Sequence, residues 1–169
     1  MTIDEFNALS ESSAARELER CCGSRQWVTE MMRQRPFQSL QHLLDAADIA
    51  SKLLSEDDWK EAFCHHPRIG DAATLEKKFF STQTWASAEQ SGMMGASRNI
   101  ADEFMQLNER YEKTFGYIYV VCATGKTAEE MHADISQRIL NTPARELATA
   151  SAEQTKITRL RLQKLLTTA

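Results

Sequence analysis

The sequence predicts an all-α fold: one compact domain, residues 1–169, of about eight helices with one short extended segment. Three observations predict it. Apolar residues recur at three- and four-residue spacing along most of the chain. Helix-capping residues (Ser, Thr, Gly and Pro) punctuate those runs. Only Tyr117-Ile118-Tyr119-Val120-Val121-Cys122 has the composition of a strand, and it is too short to build a sheet alone.

Each element has a local reason. Thr2 and Glu5 have capping-box spacing, which predicts a short first helix. Ser12 or Ser13 is expected to cap a second helix ending at Cys22, with Gly23 as its C′ residue. Trp27, Val28, Met31 and Met32 form the apolar face of a third, stopping before Pro36. Leu40, Leu43, Leu44, Ala47, Ala50 and Leu54 keep helical spacing, so about 38–54 is one helix. Ser55 and Asp58 start a short helix carrying Trp59, Ala62 and Phe63. It leads into His65-His66-Pro67-Arg68-Ile69-Gly70-Asp71.

Beyond that corner, Leu75, Phe79 and Phe80 suggest a short helix, and residues 84–91 another. Gly92 and Gly95 flank a loop with Met93-Met94. Ile100, Phe104, Leu107, Tyr111 and Phe115 make the cleanest apolar stripe, closed by Gly116. Tyr117–Cys122 reads as extended chain buried between helices. Thr127 and Glu130 box the start of a helix ending near Leu140. Thr142 and Pro143 suit Ncap and N1 of a long final helix with Leu147, Ile157, Leu160, Leu162, Leu165 and Leu166.

Composition narrows the function. The chain is 42% hydrophobic and 26% charged, as in ordinary globular proteins. Its net charge is −4 with signs interspersed, which argues against a nucleic-acid partner. No apolar run reaches the ~18 residues of a membrane span. The acidic, amphipathic opening Met1-Thr2-Ile3-Asp4-Glu5 is unlike a secretory signal, so a cytoplasmic protein is expected. Cys21, Cys22, Cys64 and Cys122 lack CxxC spacing and read as reduced thiols acting as small apolar side chains.

Pro67 has φ near −65° and biases His66 away from the α region, so His66 stands on a stiff corner. A carboxylate and an amide follow in Ser87-Ala88-Glu89-Gln90, an inventory that suits proton transfer on a small polar molecule. The bland alternatives are a surface histidine pair and a solvated helix face. Contiguous Cys64, His65 and His66 converge poorly on one ion, and His42 and His132 sit on separate helices, so no metal site is expected. Arg68 and Asp71 have a plain reading as an ion pair or cap. Thr124-Gly125-Lys126-Thr127 lacks the first glycine of a phosphate loop and reads as a turn before a capped helix.

Taken together, the motifs resemble the 2-oxo-4-hydroxy-4-carboxy-5-ureidoimidazoline (OHCU) decarboxylase family. The residues are His66-Pro67-Arg68-Ile69-Gly70, Glu89-Gln90-Ser91-Gly92-Met93, Leu107-Asn108 with Tyr111, Phe115-Gly116-Tyr117 running into Val120-Val121-Cys122, and Lys156-Ile157 with Leu160-Arg161-Leu162. They occur in order over nearly the whole chain. The resemblance implies an all-helical, cofactor-free carboxy-lyase acting in uric acid breakdown on a small-molecule substrate, OHCU. It implies His66 as catalytic proton donor and Glu89-Gln90 as the pair that binds and orients substrate. Further contacts, largely from backbone, fall on Val121, Cys122 and Ala123, with Pro67 beside the histidine. The family's usual serine falls on Ala86 here, with Ser87 one place later. Its Phe-Gly-Phe-Pro-Phe is Phe115-Gly116-Tyr117-Ile118-Tyr119, and a frequent arginine is replaced by Thr124.

On this reading the substrate's unsaturated ring holds the electron pair released with CO2. Glu89 either disfavours the ground-state carboxylate or holds a ureido N–H, and Arg68 or Arg161 anchors the leaving carboxylate. The competing class is a helical interaction module without chemistry. The resemblance also implies a homodimer. Trp27, Trp59, Trp85 and Met93-Met94 add weak support as apolar surface in excess of what short helices bury.

Overall fold

Helix-forming stripes and side-chain caps account for every element of the computed structural model, which describes residues 1–68 and 98–167. Among the described residues there are eight helices and no strand: α1 (Ile3–Ala8), α2 (Glu11–Cys21), α3 (Arg25–Arg33), α4 (Leu40–Lys52), α5 (Glu56–Cys64), α6 (Arg98–Phe115), α7 (Ala128–Arg138) and α8 (Pro143–Thr167). The helices expected around Leu75–Phe80 and over 84–91, and the loop at Gly92–Gly95, lie outside the described residues, as does Asp71. The chain divides into two compact units. One comprises Met1–His65 and Gln154–Ala169, the other His66–Glu153.

In the first unit, α3 packs against α2, α4 and α5. The buried side chains include Phe6, Leu18, Trp27, Met31, Leu43 and Phe63. Trp27 donates its indole N–H to the Ala47 carbonyl at 3.3 Å, so the largest core side chain leaves no orphaned donor. Serine or threonine opens each helix. Thr2–Glu5 and Ser55–Asp58 form full capping boxes, as the spacing predicts. Ser24 and Ser39 accept the N–H groups of Trp27 and His42. The last carbonyls of α1 are collected by Arg35, whose Nη2 donates to Phe6, Asn7 and Leu9 at 3.0, 2.8 and 2.9 Å.

Four expectations change in detail. α2 is capped by Ser10, not by Ser12 or Ser13, because only Ser10 has non-helical backbone (φ −57°, ψ 155°) with its hydroxyl facing the Ser13 N–H. Gly23 is not a left-handed C′ residue, since Cys22 leaves α2 extended (φ −146°, ψ 120°). Among the described residues only Gly116 and Gly125 have positive φ. Gly23 is required for a different reason: a Cβ there would lie 2.2 Å from Cγ of His65. α4 is shorter than 38–54, because the Ser39 hydroxyl caps its first turn and Leu53 its last. α7 stops at Arg138, leaving Leu140 exposed.

In the second unit, α6 packs on α7, and Phe104, Tyr111, Met131 and Ile135 are all buried. Gly116 ends α6 at φ 78°, the left-handed stop predicted for it. The non-helical stretch after it is buried at Tyr117, Tyr119, Val120, Val121 and Ala123. A turn follows, in which Lys126 N–H donates to the Ala123 carbonyl at 3.0 Å and Gly125 has φ 80°. This is the turn expected at Thr124–Thr127, and Thr127 with Glu130 then boxes α7. Among the described residues no helix is long and apolar enough to cross a membrane.

None of the four cysteines forms a disulfide among the described residues. Burial pushes the Cys22 thiol up to about 11 and the Cys21 thiol up to about 12, from an ordinary 9.0. Cys64, by contrast, is exposed rather than apolar filling, because it closes α5 on its outer face. Two results are expected. At pH 8, alkylation followed by mass spectrometry marks Cys64 while Cys21 and Cys22 stay protected until the chain unfolds. The folded state also holds its thiol protons above 9.0, where the unfolded chain releases them. Stability in urea therefore falls as pH rises from 9.0 towards 11 to 12.

Candidate active site

α5 delivers the chain to the His-Pro corner. Its last helical residue is Cys64, and His65 is the C-cap, with its N–H on the Ala62 and Phe63 carbonyls. The helix thus ends at Cys64, three positions before Pro67, where the proline disfavours continued helix. The two histidines part company at once. His65 is exposed and lies against Gly23. His66 is buried, at 9% exposure, and Pro67 is buried beside it. Arg68 is half exposed and paired with Glu112 of α6. Among the described residues its partner is Glu112, and the pairing expected with Asp71 lies outside them.

The second part is the main chain at Val121, Cys122 and Ala123. Among the described residues no ladder pairs this stretch, and side chains hold the peptide groups on either side of Val121. Arg138 of α7 reaches it from the core, donating Nη1 to the Val120 carbonyl at 2.9 Å. Glu153 of α8 accepts the Cys122 N–H on Oε2 at 2.8 Å. Behind this lies a buried polar cluster. Glu146, fully buried, accepts Arg138 Nη2 at 2.6 Å and Nε at 2.8 Å, and Asn141 Nδ2 at 2.7 Å. It also accepts the Tyr111 hydroxyl. The Arg138 guanidinium stacks 4.7 Å from the Tyr119 ring, and the Tyr119 hydroxyl donates to Asp134. Burial is the largest single effect and lowers the Arg138 pKa, but the hydrogen bond to Glu146 and the charge interactions with Tyr111, Glu146 and Tyr119 together outweigh it and raise it, which keeps the charge in place. Burial raises the Tyr111 and Tyr119 hydroxyls far above their usual range, so both act as donors and not as acids.

Sequence reasoning missed Arg138 and Glu146. A signal was present: Arg138 continues the buried Met131–Ile135 spacing of α7, a core position where an unpaired charge is untenable. The remaining predicted residues divide plainly. His66, Pro67 and Val121–Ala123 belong to the second unit. Arg161 belongs to the first; it is buried on α8 and donates to the Arg20 carbonyl at 3.4 Å, near the Cys21 and Cys22 thiols. Ala86, Ser87, Glu89 and Gln90 lie outside the described residues. His42 and His132 are helix-surface groups, the first accepting the Gln38 N–H and the second 3.3 Å from Glu103. Trp27 is fully buried, so it lends no support to an interface, while Trp85 and Met93-Met94 lie outside the described residues.

An all-helical chain with a buried histidine on a proline corner and a main-chain rim held by side chains defines a class of helical enzyme-like domains, and the comparisons specify it. A family model described as OHCU decarboxylase matches residues 7–163. The uric acid degradation bifunctional protein TTL of Arabidopsis thaliana is 34% identical over 149 residues, 88% of this chain and 46% of that protein. The 2-oxo-4-hydroxy-4-carboxy-5-ureidoimidazoline decarboxylase of Haloferax volcanii is 27% identical over 96% of this chain and 94% of its own length. A crystal structure of OHCU decarboxylase in the presence of (S)-allantoin superposes with a TM-score of 0.75 at 31% identity, covering 89% of this chain and 96% of that one. The chain belongs to the OHCU decarboxylase family. It spans half or less of the bifunctional relatives, 46% of the Arabidopsis protein and 33% of PucL from Bacillus subtilis.

The buried pair makes a stability prediction. Arg138→Met strands the Glu146 carboxylate without its cation and costs about 3–5 kcal/mol in urea unfolding. The double variant Arg138→Met with Glu146→Leu removes both charges and recovers much of that loss. A single variant as stable as the parent shows that the pair does not hold this unit.

Proposed function

We propose that this chain decarboxylates OHCU to (S)-allantoin and CO2 in uric acid breakdown. The observation that carries the reading is His66: the histidine of the His-Pro-Arg corner is buried, within a family match over residues 7–163. In this reading the bond to the carboxylate breaks heterolytically, and the electron pair enters the unsaturated imidazoline ring. His66 then gives its proton to one face of that carbon and is reprotonated by solvent. No cofactor is needed, because the substrate is its own electron sink.

In this reading Glu89 and Gln90 bind and orient the substrate, and Ala86, Ser87 and Pro67 are further substrate-binding positions by the family resemblance. Glu89 adds a charge that disfavours the bound carboxylate until CO2 leaves. Val121, Cys122 and Ala123 supply the main-chain rim. Of the two candidate arginines for the carboxylate anchor, Arg68 is paired at the surface with Glu112 and Arg161 donates to the Arg20 carbonyl. The reading includes a cytoplasmic location.

The test generates OHCU in situ from urate and follows circular dichroism with and without the protein. Faster appearance of the (S)-allantoin signal is expected; an unchanged rate sinks the reading. His66→Asn should lower kcat by at least about two decades, the usual scale of general acid catalysis, without a change in melting temperature. His65→Asn should be mild in kcat, because that ring rests on Gly23. Equal losses at the two positions overturn the assignment of the proton donor.

The proposal includes assembly as a homodimer, without a nucleic-acid or membrane partner. Ile49 on α4 and its C-cap residue Leu53 are 53% and 59% exposed and give an apolar surface that a second copy would cover. Sedimentation equilibrium at micromolar concentration should return twice the chain mass; a monomer with full activity excludes the dimer.

A further inference from the structure

The two peptide groups that flank Val121 are each held by a side chain. The Val120 carbonyl accepts from Arg138, and the Cys122 N–H donates to Glu153. A trans peptide is planar, and its C=O and N–H point in opposite directions. Among the described residues the only cis bond is Arg35–Pro36. With the Val120 carbonyl turned to Arg138, the Val121 N–H in the same peptide must point away from Arg138. With the Cys122 N–H turned to Glu153, the Val121 carbonyl must point away from Glu153.

Neither group of Val121 takes part in a hydrogen bond among the described residues, although Val121 is only 5% exposed. Buried main-chain groups are nearly always paired. The neighbouring Ala123 carbonyl is already taken by Lys126. One residue therefore offers a donor and an acceptor together. A cyclic ureide, with C=O and N–H adjacent on its ring edge, is their complement.

We propose that Arg138 and Glu153 are positioning residues: they orient the peptides on either side of Val121 so that its N–H and C=O read the ureide edge of the ligand, while the Cys122 N–H stays with Glu153. This rests on the reading of Val121–Ala123 as the substrate rim. Arg138 is locked from behind by Glu146 and Tyr119, so its hold is rigid. Glu153 is half buried on α8, and its substitution is the gentler one to test.

The test compares Glu153→Leu with Glu153→Gln in the full chain. The leucine loses the acceptor, whereas the glutamine keeps one in its side-chain carbonyl. Glu153→Leu should raise KM for OHCU and Kd for (S)-allantoin about tenfold, the scale of one hydrogen bond's worth of alignment, with a smaller change in kcat. Glu153→Gln should restore most of the loss. An unchanged KM and Kd in Glu153→Leu, with only a lower melting temperature, overturns the proposal and leaves Glu153 a structural residue. A glutamine variant as impaired as the leucine also overturns it, since charge and not an acceptor would then matter.

Should Glu153→Leu fail to fold, amide NMR of the parent protein decides. Titration with (S)-allantoin should shift the Val121 amide and leave the Cys122 amide protected. Loss of protection at Cys122 overturns the proposal. A parent that converts OHCU while the Val121 amide stays unmoved shows that the rim reading fails and the enzyme reading stands. A parent that neither converts OHCU nor binds (S)-allantoin fails the enzyme reading itself.

Discussion

The second unit depends on one buried ion pair, Arg138 with Glu146. Taking two charges out of water is costly, and their mutual attraction alone rarely offsets it. Here the remaining hydrogen-bonding capacity is filled as well. Glu146 takes donors from Arg138, Tyr111 and Asn141, and Arg138 adds the Val120 carbonyl and the face of Tyr119. A buried polar group is tolerable only when satisfied in this way. The pair therefore ties α6, α7 and the start of α8 to a stretch of chain with no secondary structure of its own.

That stretch is where an all-helical protein must solve a general problem. Helices consume their own main-chain N–H and C=O groups, so a helical scaffold has few backbone donors and acceptors to offer a polar ligand. A buried non-helical segment supplies them, but its unused groups need partners. Side chains from α7 and α8 provide those partners at Val120 and Cys122. The segment is held without a β ladder, by side chains that α7 and α8 supply.

The His-Pro corner shows the same division of labour on a smaller scale. Pro67 makes α5 end, the His65 cap and its contact with Gly23 fix the chain just before the corner, and His66 is left buried as a separate element. A glycine that looks like a helix stop is in fact clearance for an imidazole. Caps do the equivalent work elsewhere in the first unit, where Arg35 alone collects three carbonyls at the end of α1.

What the sequence determined by itself is local. Apolar spacing marked α4, α6 and α8, and the Thr-x-x-Glu and Ser-x-x-Asp boxes marked the starts of α1, α5 and α7, because those signals act over one or two turns. The Gly116 stop and the buried non-helical run after it were legible for the same reason, as were His66 on its corner and the family the motifs resemble. Tertiary structure alone decided the rest. Whether Gly23 serves a cap or a contact depends on His65, forty-two positions away in the numbering. Whether Arg138 is a surface charge or the centre of a core depends on Glu146, Tyr111 and Tyr119, and which groups of Val121 remain for a ligand depends on Arg138 and Glu153. Local pattern cannot reach these, because each is a pairing between elements, and the cost of an unpaired buried group is set only once the elements have met.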